Sequence, residues 1–193
     1  MIPNRKFGLF GGSFDPVHHG HLILAREALE QLGLERILFI PANISPHKTG
    51  SPPAPPALRV AMLKAAIDGN AAFSIETCEL EREGPSYAID TVRHLAAKHA
   101  GVDWTFLIGG DNVAALDTWK EIDALRGMVE FAVFTGRHPA GETGGWPRID
   151  RRIDLSSSEI RNRIARGLPV RYFVPDAVDR LIAEHRLYLH DRL

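Results

Sequence analysis

One segment, GGSFDPVHHGHL at residues 11–22, lies between a short apolar run and an amphipathic pattern. The run before it, residues 7–10, predicts a buried strand. The apolar residues on one face of the helix predicted after it are Leu22, Ala25, Leu29 and Leu32. In an open parallel sheet, a strand-to-helix turn lies at the carboxyl edge, where ligands bind. The segment therefore predicts an α/β fold with a ligand site at this turn.

The same segment carries groups suited to a polyphosphate. Gly11 and Gly12 allow a sharp turn and let a phosphate approach the backbone closely. A helix beginning near Gly20 offers unpaired N–H groups and the positive end of its dipole. His18 and His21 are three residues apart, so they share one side of that helix start. The alternative is an ordinary turn with incidental histidines. Neither a Walker A lysine nor a GxGxxG pattern accompanies the segment.

The composition fits one globular domain with a small appendage. Of the 193 residues 45% are hydrophobic, and the net charge is −1 without a long Lys/Arg tract. This balance argues against a nucleic-acid or membrane-surface partner, and no apolar run reaches membrane-spanning length. The single cysteine, Cys78, suggests a cytoplasmic protein and is expected to be a small semi-buried side chain, not a nucleophile. The oligomeric state is not fixed by the sequence, and a homo-oligomer is compatible with it.

Further elements of a parallel sheet follow along the chain. Strand patterns occupy residues 37–40, 73–77, 104–108 and 129–134, and helical patterns occupy 57–68, 112–116, 121–125 and the segments after 85 and 155. The alternation predicts right-handed crossovers and a doubly wound, Rossmann-like parallel sheet with a small C-terminal helical subdomain. We expect residues 1–155 to form a nucleotide-binding core and residues 156–193 a helical segment packed on the same domain.

Several loops are predicted to be exposed. The charged residues 79–83 should face solvent, and residues 137–150, with their glycines and prolines, should form a flexible surface loop. Lys48 follows the second strand in a proline-rich loop. It is either a mobile charge that binds a phosphate or a solvated lysine.

Polar residues at later strand and helix ends add candidates. Ser86 is a predicted N-cap, and Asp111, after the strand at 104–108, either binds ribose hydroxyls or caps a helix. Trp119 either fills the core or stacks on a flat ring. Ser156 has capping-box spacing to Glu159. With Arg161 it predicts either a second anion site facing the first or simply a well-capped helix.

These motifs together resemble those of the nucleotidyltransferase superfamily, and nearly end to end the chain is similar to the bacterial nicotinate-nucleotide adenylyltransferases. The matching segments are residues 11–22, SPHK at 45–48, PSY at 85–87, IGGD at 108–111, TW at 118–119, LSSSEIR at 155–161 and LPVRYFVP at 168–175. The resemblance implies transfer of the adenylyl group of ATP to nicotinate mononucleotide, with Mg²⁺ accompanying the triphosphate, in NAD biosynthesis.

The resemblance also implies roles for individual residues. His18 and His21 would contact the ATP phosphates from the turn formed by Gly11, Gly12, Ser13, Phe14 and Gly20. Arg161, with Ser156 and Ser157, would hold the β,γ end. Gly109 and Asp111 would line the adenosine region. Lys48 would lie near the reacting phosphate, and the mononucleotide would contact Ser13, Lys48, Ser86, Tyr87, Ala88 and Trp119.

The mechanism implied is an in-line displacement that needs cationic donors and backbone N–H groups but no general base. Ala88 stands where the family usually has a threonine associated with the nicotinate carboxylate, so one selectivity contact differs. The rivals are adenylyltransferases acting on nicotinamide mononucleotide or phosphopantetheine, and a nucleotide-binding sensor without catalysis.

Overall fold

The computed structural model describes residues 4–43, 53–135 and 144–189. Its strands are β1 Arg5–Gly12, β2 Arg36–Pro41, β3 Phe73–Ile75, β4 Val102–Gly109, β5 Glu130–Phe134 and β6 Arg148–Ile149. Its helices are α1 His19–Gln31, α2 Pro56–Ile67, α3 Ala88–Lys98, α4 Gly110–Val113, α5 Ile122–Arg126, α6 Ser157–Ala165 and α7 Asp176–Glu184, with a 3₁₀ helix at Leu116–Thr118. The predicted elements are therefore present, with ends that differ by a few residues.

The strands form one parallel sheet in the order β3-β2-β1-β4-β5-β6. The chain runs outward from β1 through β2 to β3 and then returns to place β4 on the other side of β1. Phe10 lies opposite Leu107, so the ends of β1 and β4 are nearly level. The crevice between these two ends is the switch point at which open α/β sheets bind ligands. The predicted Rossmann-like parallel sheet is confirmed.

Apolar side chains pack on both faces of the sheet. On β1, Phe10 points into one cluster, whereas Phe7 and Leu9 point into the other. The first cluster is covered by α1, α2, α6 and α7, and the second by α3 and α5. Successive strand residues alternate between faces, so a strand covered on both sides is apolar throughout. This explains the unbroken apolar runs in the sequence.

The C-terminal helices belong to the first of these clusters. Ile160 and Ile164 of α6, with Val178 and Ile182 of α7, are buried in the cluster that also contains Ala25 of α1. This packing places both helices on the same face of the sheet as α1. The division into a core of residues 1–155 and a helical segment of residues 156–193 remains a prediction. Among the described residues, none of the helices combines the length and apolarity needed to cross a bilayer.

Two loop predictions are wrong in part, although Glu81, Glu83 and most of residues 144–150 are exposed as expected. Glu79 is buried, although residues 79–83 were expected to face solvent, because its carboxylate accepts a hydrogen bond from the buried Thr91 hydroxyl at 2.7 Å. The loop at 137–150 includes β6, which pairs with β5. Trp146, in the same segment, packs against Phe131 with 5.2 Å between the two ring centroids. Residues 136–143 lie outside the described residues.

Candidate active site

The loop that joins β1 to α1 is buried along most of its length. Phe14 has φ 47°, a left-handed conformation that is uncommon for a bulky residue, and its ring is 1% exposed. The ring packs between Phe10 and Phe39, at 5.7 and 5.6 Å between centroids. The Phe14 side chain thus anchors the loop to the core beneath the carboxyl ends of β1 and β2.

His18 and His21 cap α1 reciprocally. The Nδ1 of His18 accepts from the backbone N–H of His21 at 3.4 Å, and the Nδ1 of His21 accepts from the N–H of His18 at 3.2 Å. The two rings stack at 3.7 Å with an interplanar angle of 24°. Because each Nδ1 accepts a hydrogen bond, each neutral ring carries its proton on Nε2. Each ring of the pair therefore carries one Nε2–H donor.

His18 is buried, at 5% exposure, and its charge state follows from that. Burial, with a smaller contribution from His19, lowers the pKa of His18 from 6.5 to about 4. In the structure without a bound anion, His18 is therefore a neutral donor at pH 7. The role of a cationic donor stays a prediction for the complex with a polyphosphate.

Gly20 is required beside the His18 ring. A Cβ at residue 20 would lie 2.9 Å from Nδ1 and 3.0 Å from Cε1 of His18, and 3.3 Å from the Ile153 side chain. The glycine between the histidines thus makes room for the imidazole, in addition to any approach by a phosphate.

The helix start offers fewer free donors than the sequence suggested. The N–H of His19 donates to the carbonyl of Phe173 at 3.0 Å, and the N–H of His21 is used in the cap. Two of the N–H groups expected to bind an anion therefore already donate within the protein. A phosphate bound here would depend more on the imidazole donors.

The serine–arginine helix α6 docks directly on the same loop. Arg161 donates from Nη1 to the carbonyl of Asp15 at 2.8 Å, and Ser157 donates from Oγ to the carbonyl of Pro16 at 2.9 Å. Ser156 caps the helix by accepting from the N–H of Glu159 at 3.2 Å, as its spacing predicted. The two predicted anion sites are thus adjacent, joined through the backbone of residues 15 and 16.

A second group of candidates lies at the carboxyl end of β2. Ser86 was predicted to cap α3, and this prediction is wrong. Tyr87 holds that position without a side-chain cap. The Ser86 hydroxyl instead accepts from the N–H of Asn43 at 3.0 Å and hydrogen-bonds the Glu79 carboxylate. Burial raises the pKa of Glu79 despite these bonds. Ser86 therefore fixes the loop before α3 to the end of β2.

Lys120, the residue after Trp119, contacts the start of α3. Lys120 pairs with Asp90 in the first turn of α3 at 3.0 Å, and its Nζ lies 4.8 Å from the ring centre of Tyr87. Trp119, next to it, is partly exposed and packs edge-on against Phe106 at 5.8 Å. Ala88, the first residue of α3, also packs on this cluster. Tyr87 and Ala88 thus lie at the start of α3, and the residue after Trp119 contacts the same end of the helix.

Gly109 and Asp111 lie at the end of β4, beside the end of β1. Asp111 is exposed and accepts from the side-chain amide of Asn112 at 3.2 Å. Gly109 is the N-cap of α4, so the alternative of Asp111 as N-cap is wrong. A Cβ on Gly109 would collide with the Asp111 carboxylate. Lys48 lies outside the described residues, so its prediction stays open.

Sequence analysis missed three residues of this site. Asp15 was quoted in the motif without a role, and Arg59 and Tyr188 were not singled out. Asp15 accepts from the Tyr188 hydroxyl at 2.7 Å, and Arg59 donates to the carbonyl of Ser13 at 2.8 Å. The signal available in the sequence was an acidic residue inside an otherwise apolar buried loop, which requires a partner.

One cluster of ligand-type side chains lies away from this site. Within the described residues, the donor atoms of Glu76, Cys78 and His94 lie within 4.8 Å of one another. Glu76 already pairs with Lys98 at 2.8 Å, and burial raises the pKa of Cys78 to about 11. Cys78 is therefore a protonated, buried thiol at neutral pH, as its interpretation as a packing residue predicted.

Comparison with known proteins identifies the family. The family model described as cytidylyltransferase-like matches residues 9–163. A Symbiobacterium thermophilum protein is 42% identical over 95% of this chain and 95% of its own length, and a Bacillus pumilus protein is 44% identical over 95% and 98%. Both are named "Probable nicotinate-nucleotide adenylyltransferase". This chain belongs to the nicotinate-nucleotide adenylyltransferase family.

The fold has relatives among solved structures. Nicotinic acid mononucleotide adenylyltransferase from Plasmodium falciparum superposes with a TM-score of 0.77 at 17% identity, covering 97% of this chain and 98% of that one. That protein was solved in complexes with APC and with NaAD. At this identity the similarity establishes the fold, and the family resemblance drawn from the motifs is confirmed by the curated relatives.

Proposed function

We propose that this chain transfers the adenylyl group of ATP to nicotinate mononucleotide, releasing pyrophosphate and forming nicotinate adenine dinucleotide. The observation that carries the proposal is the docking of α6 on the loop before α1. Arg161 and Ser157 of α6 bind the carbonyls of Asp15 and Pro16 in that loop, which leads directly to His18. Two sets of groups suited to bind phosphate thereby lie together at the switch point of the sheet. The proposal is also supported by relatives named "Probable nicotinate-nucleotide adenylyltransferase".

The reaction requires positioning and charge stabilisation more than acid–base catalysis. The attacking group is a phosphate oxygen of the mononucleotide, which is ionised at neutral pH. It displaces pyrophosphate from the α-phosphorus in line: one P–O bond forms as another breaks, and no proton need be removed. The chemistry therefore needs no general base.

The protein supplies donors around the triphosphate. The Nε2–H groups of His18 and His21 are proposed to bind its phosphate oxygens, while each Nδ1 accepts from a backbone N–H. A neutral donor keeps its geometry without the desolvation cost of a buried cation. Arg161, with Ser156 and Ser157 at the start of α6, is proposed to bind the β,γ end and to stabilise the leaving pyrophosphate. Lys48 is proposed to lie near the reacting phosphate.

The turn and the adenosine region complete the ATP site. The backbone of Gly11, Gly12, Ser13 and Phe14 is proposed to border the phosphates at the end of β1. Gly109 and the exposed Asp111 carboxylate lie at the neighbouring end of β4, where hydroxyls of a ribose would find an acceptor.

The acceptor site is proposed to lie at the start of α3. Trp119 offers a partly exposed ring for stacking on the pyridine, beside Tyr87 and Ala88. The nicotinate carboxylate would then meet the first N–H groups of α3 and the positive end of its dipole. Ala88 has no hydroxyl to add. This observation favours nicotinamide mononucleotide as a second candidate substrate.

Mg²⁺ fits this site as an ion carried by ATP. The buried carboxylate of Asp15 is occupied by hydrogen bonds from Ala54 and Tyr188, and it leaves no acidic pair for a protein-held ion in the loop. Oxygen-bound Mg²⁺ would partly neutralise the triphosphate, and the donors described above would bind its remaining oxygens. We also place the reaction in the cytoplasm, with charged nucleotides rather than nucleic acid as partners.

The test is a panel of acceptors. Pyrophosphate release from ATP is measured with nicotinate mononucleotide, nicotinamide mononucleotide and phosphopantetheine, and each product is identified by mass. We expect the highest kcat/KM with the nicotinate substrate. A higher value with the amide would replace the proposal by its second candidate, and ATP binding without turnover of any acceptor would indicate a sensor.

A further inference from the structure

We propose that Asp15, Arg59 and Tyr188 form a positioning network that holds the loop between β1 and α1 in its ATP-binding shape. Through Tyr188, the segment after α7 takes part in holding the candidate active site. The inference rests on the proposed function in one respect, that this loop binds ATP. None of the three residues is proposed to touch the reacting atoms.

Asp15 is the centre of the network. Its side chain is buried, and Oδ1 accepts two hydrogen bonds, from the N–H of Ala54 at 3.1 Å and from the Tyr188 hydroxyl at 2.7 Å. Its backbone carbonyl accepts from Arg161, whose Nη1 lies 3.9 Å from Oδ2. A buried carboxylate must be compensated in this way, and here the compensation comes from three distant parts of the chain.

Tyr188 reaches Asp15 from the segment that follows α7. That segment turns back on the helix through a hydrogen bond from the N–H of Leu187 to the carbonyl of Ile182 at 3.0 Å, and Tyr188 has φ 63°. The Tyr188 ring packs on the apolar cluster beneath the loop. Burial and the nearby Asp15 carboxylate raise the pKa of Tyr188, so its hydroxyl stays protonated and donates.

Arg59 holds the other end of the loop from α2. It is fully buried. Its Nη1 donates to the carbonyl of Ser13 at 2.8 Å, and its Nε donates to the carbonyl of Ala54 at 3.1 Å. Burial lowers the pKa of Arg59, and Asp15 and Tyr188 oppose that shift. Arg59 therefore fixes Ser13, which precedes Phe14, and Ala54, whose N–H donates to Asp15.

The network matters because the loop is strained and leads to the histidines. Phe14 keeps a left-handed φ of 47°, a conformation that persists only where its surroundings impose it. Arg59 binds the carbonyl before Phe14, and Arg161 binds the carbonyl after it. The loop continues into His18, which caps α1. Releasing Asp15 would free the middle of the loop and shift His18 from the position that its Nε2–H requires.

The test removes one hydroxyl. Tyr188→Phe keeps the ring and takes away the donor to Asp15. The matched control is Tyr172→Phe, since the Tyr172 side chain is 79% exposed. ATP affinity is measured by titration calorimetry without acceptor, well below the melting temperature of each variant. We expect the Kd for ATP to rise roughly fivefold to thirtyfold in Tyr188→Phe and to stay within about twofold in Tyr172→Phe.

A purely structural role predicts a different result. If Tyr188→Phe lowers the melting temperature but changes the Kd for ATP by less than about threefold, the network does not position the ATP loop and the proposal fails. The proposed function is tested separately, because the wild-type chain either turns over nicotinate mononucleotide or does not, whereas calorimetry with ATP alone involves no acceptor. Failure of one therefore leaves the other intact.

Discussion

At the scale of single residues, the histidine pair defines what the site can do. The Nδ1 of each imidazole accepts from the backbone N–H of the other residue. Each ring therefore caps the helix through Nδ1 and carries its donor on Nε2. A proton added to either Nδ1 would break the cap. Burial keeps His18 neutral and thereby preserves both roles at neutral pH.

The low pKa of His18 predicts a stability that depends on pH. Between pH 6.5 and about 4 the unfolded chain binds a proton at His18 and the folded chain does not, so the free energy of unfolding falls as pH falls through this window. The loss attributable to His18 is about 3 kcal/mol, and above pH 6.5 the contribution is constant.

Urea unfolding of wild type and His18→Asn between pH 4 and 8 measures this effect, because asparagine retains a side-chain acceptor for the helix cap without a titrating group. We expect the difference in stability between the two proteins to change across the window in favour of the variant. Parallel stability curves would show that His18 titrates alike in both states.

Gly20→Ala should reduce activity far more than stability. The new Cβ, 2.9 Å from Nδ1 of His18, would displace the ring, whereas alanine within α1 is the better helix former. A displacement of this kind is expected to lower kcat/KM roughly 10²-fold. The disturbed cap of α1 should lower the melting temperature by only about 2–4 °C. Steady-state kinetics and thermal unfolding check both parts.

The control for this substitution is Gly127→Ala, where the nearest atom to a new Cβ is a carbonyl at 3.5 Å and φ is −76°. Equal kcat/KM values for the two variants would show that the space beside His18 is not needed.

At the scale of helices and strands, local signals were predictable and distant ones were not. The cap of α6 by Ser156 was foreseen because its partner, Glu159, is three residues away. Ser86 was assigned the same role and does something else, because its partner Asn43 lies 43 residues distant on the end of β2. The burial of Glu79 was missed for the same reason, since Thr91 of α3 provides its hydrogen bond.

The start of α3 gives a prediction about selectivity. Ala88→Thr adds a hydroxyl at the first residue of the helix, where we propose that the nicotinate carboxylate binds. Hydrogen bonds to charged groups are stronger than neutral ones, so kcat/KM for nicotinate mononucleotide should rise roughly threefold to tenfold, and the value for the amide should change less. Initial rates with both substrates measure the ratio.

Ala88→Val is the matched control, because valine has the shape of threonine without its hydroxyl. An equal gain in Ala88→Val would attribute the change to packing and would remove the carboxylate from this position.

At the scale of the molecule, the apolar runs fix the parallel sheet, and the switch point fixes where its ligand binds. The contacts that assemble the site span the chain. Ser157 is 141 residues from Pro16, Arg161 is 146 from Asp15, and Tyr188 is 173 from Asp15. No local pattern encodes such partners. The sequence could therefore place the histidines and the serine–arginine helix in the same site, through family resemblance, but could not show the loop that joins them.

If α6 holds the β,γ end of ATP, Arg161 should distinguish ATP from AMP. Arg161→Ala removes a guanidinium from the triphosphate end and also its hydrogen bond to the carbonyl of Asp15. The first loss affects ATP alone, so the Kd for ATP should rise roughly 10-fold to 100-fold, the range for hydrogen bonds to charged groups. The Kd for AMP reports the second loss and should rise several-fold less. Because ATP binding stabilises the folded chain by mass action, the same loss should appear as a smaller rise in melting temperature with ATP at fixed concentration.

Arg166→Ala is the control on the same helix, since Arg166 is exposed at its C-terminal end. Titration calorimetry with ATP and with AMP is carried out on wild type, Arg161→Ala and Arg166→Ala. Because nucleotide and side chain are varied independently, the comparison isolates the part of the loss that depends on the β,γ phosphates. Equal losses for ATP and AMP in Arg161→Ala would mean that Arg161 acts through the carbonyl of Asp15 on the loop as a whole. In that case α6 would support the site without contacting the leaving pyrophosphate.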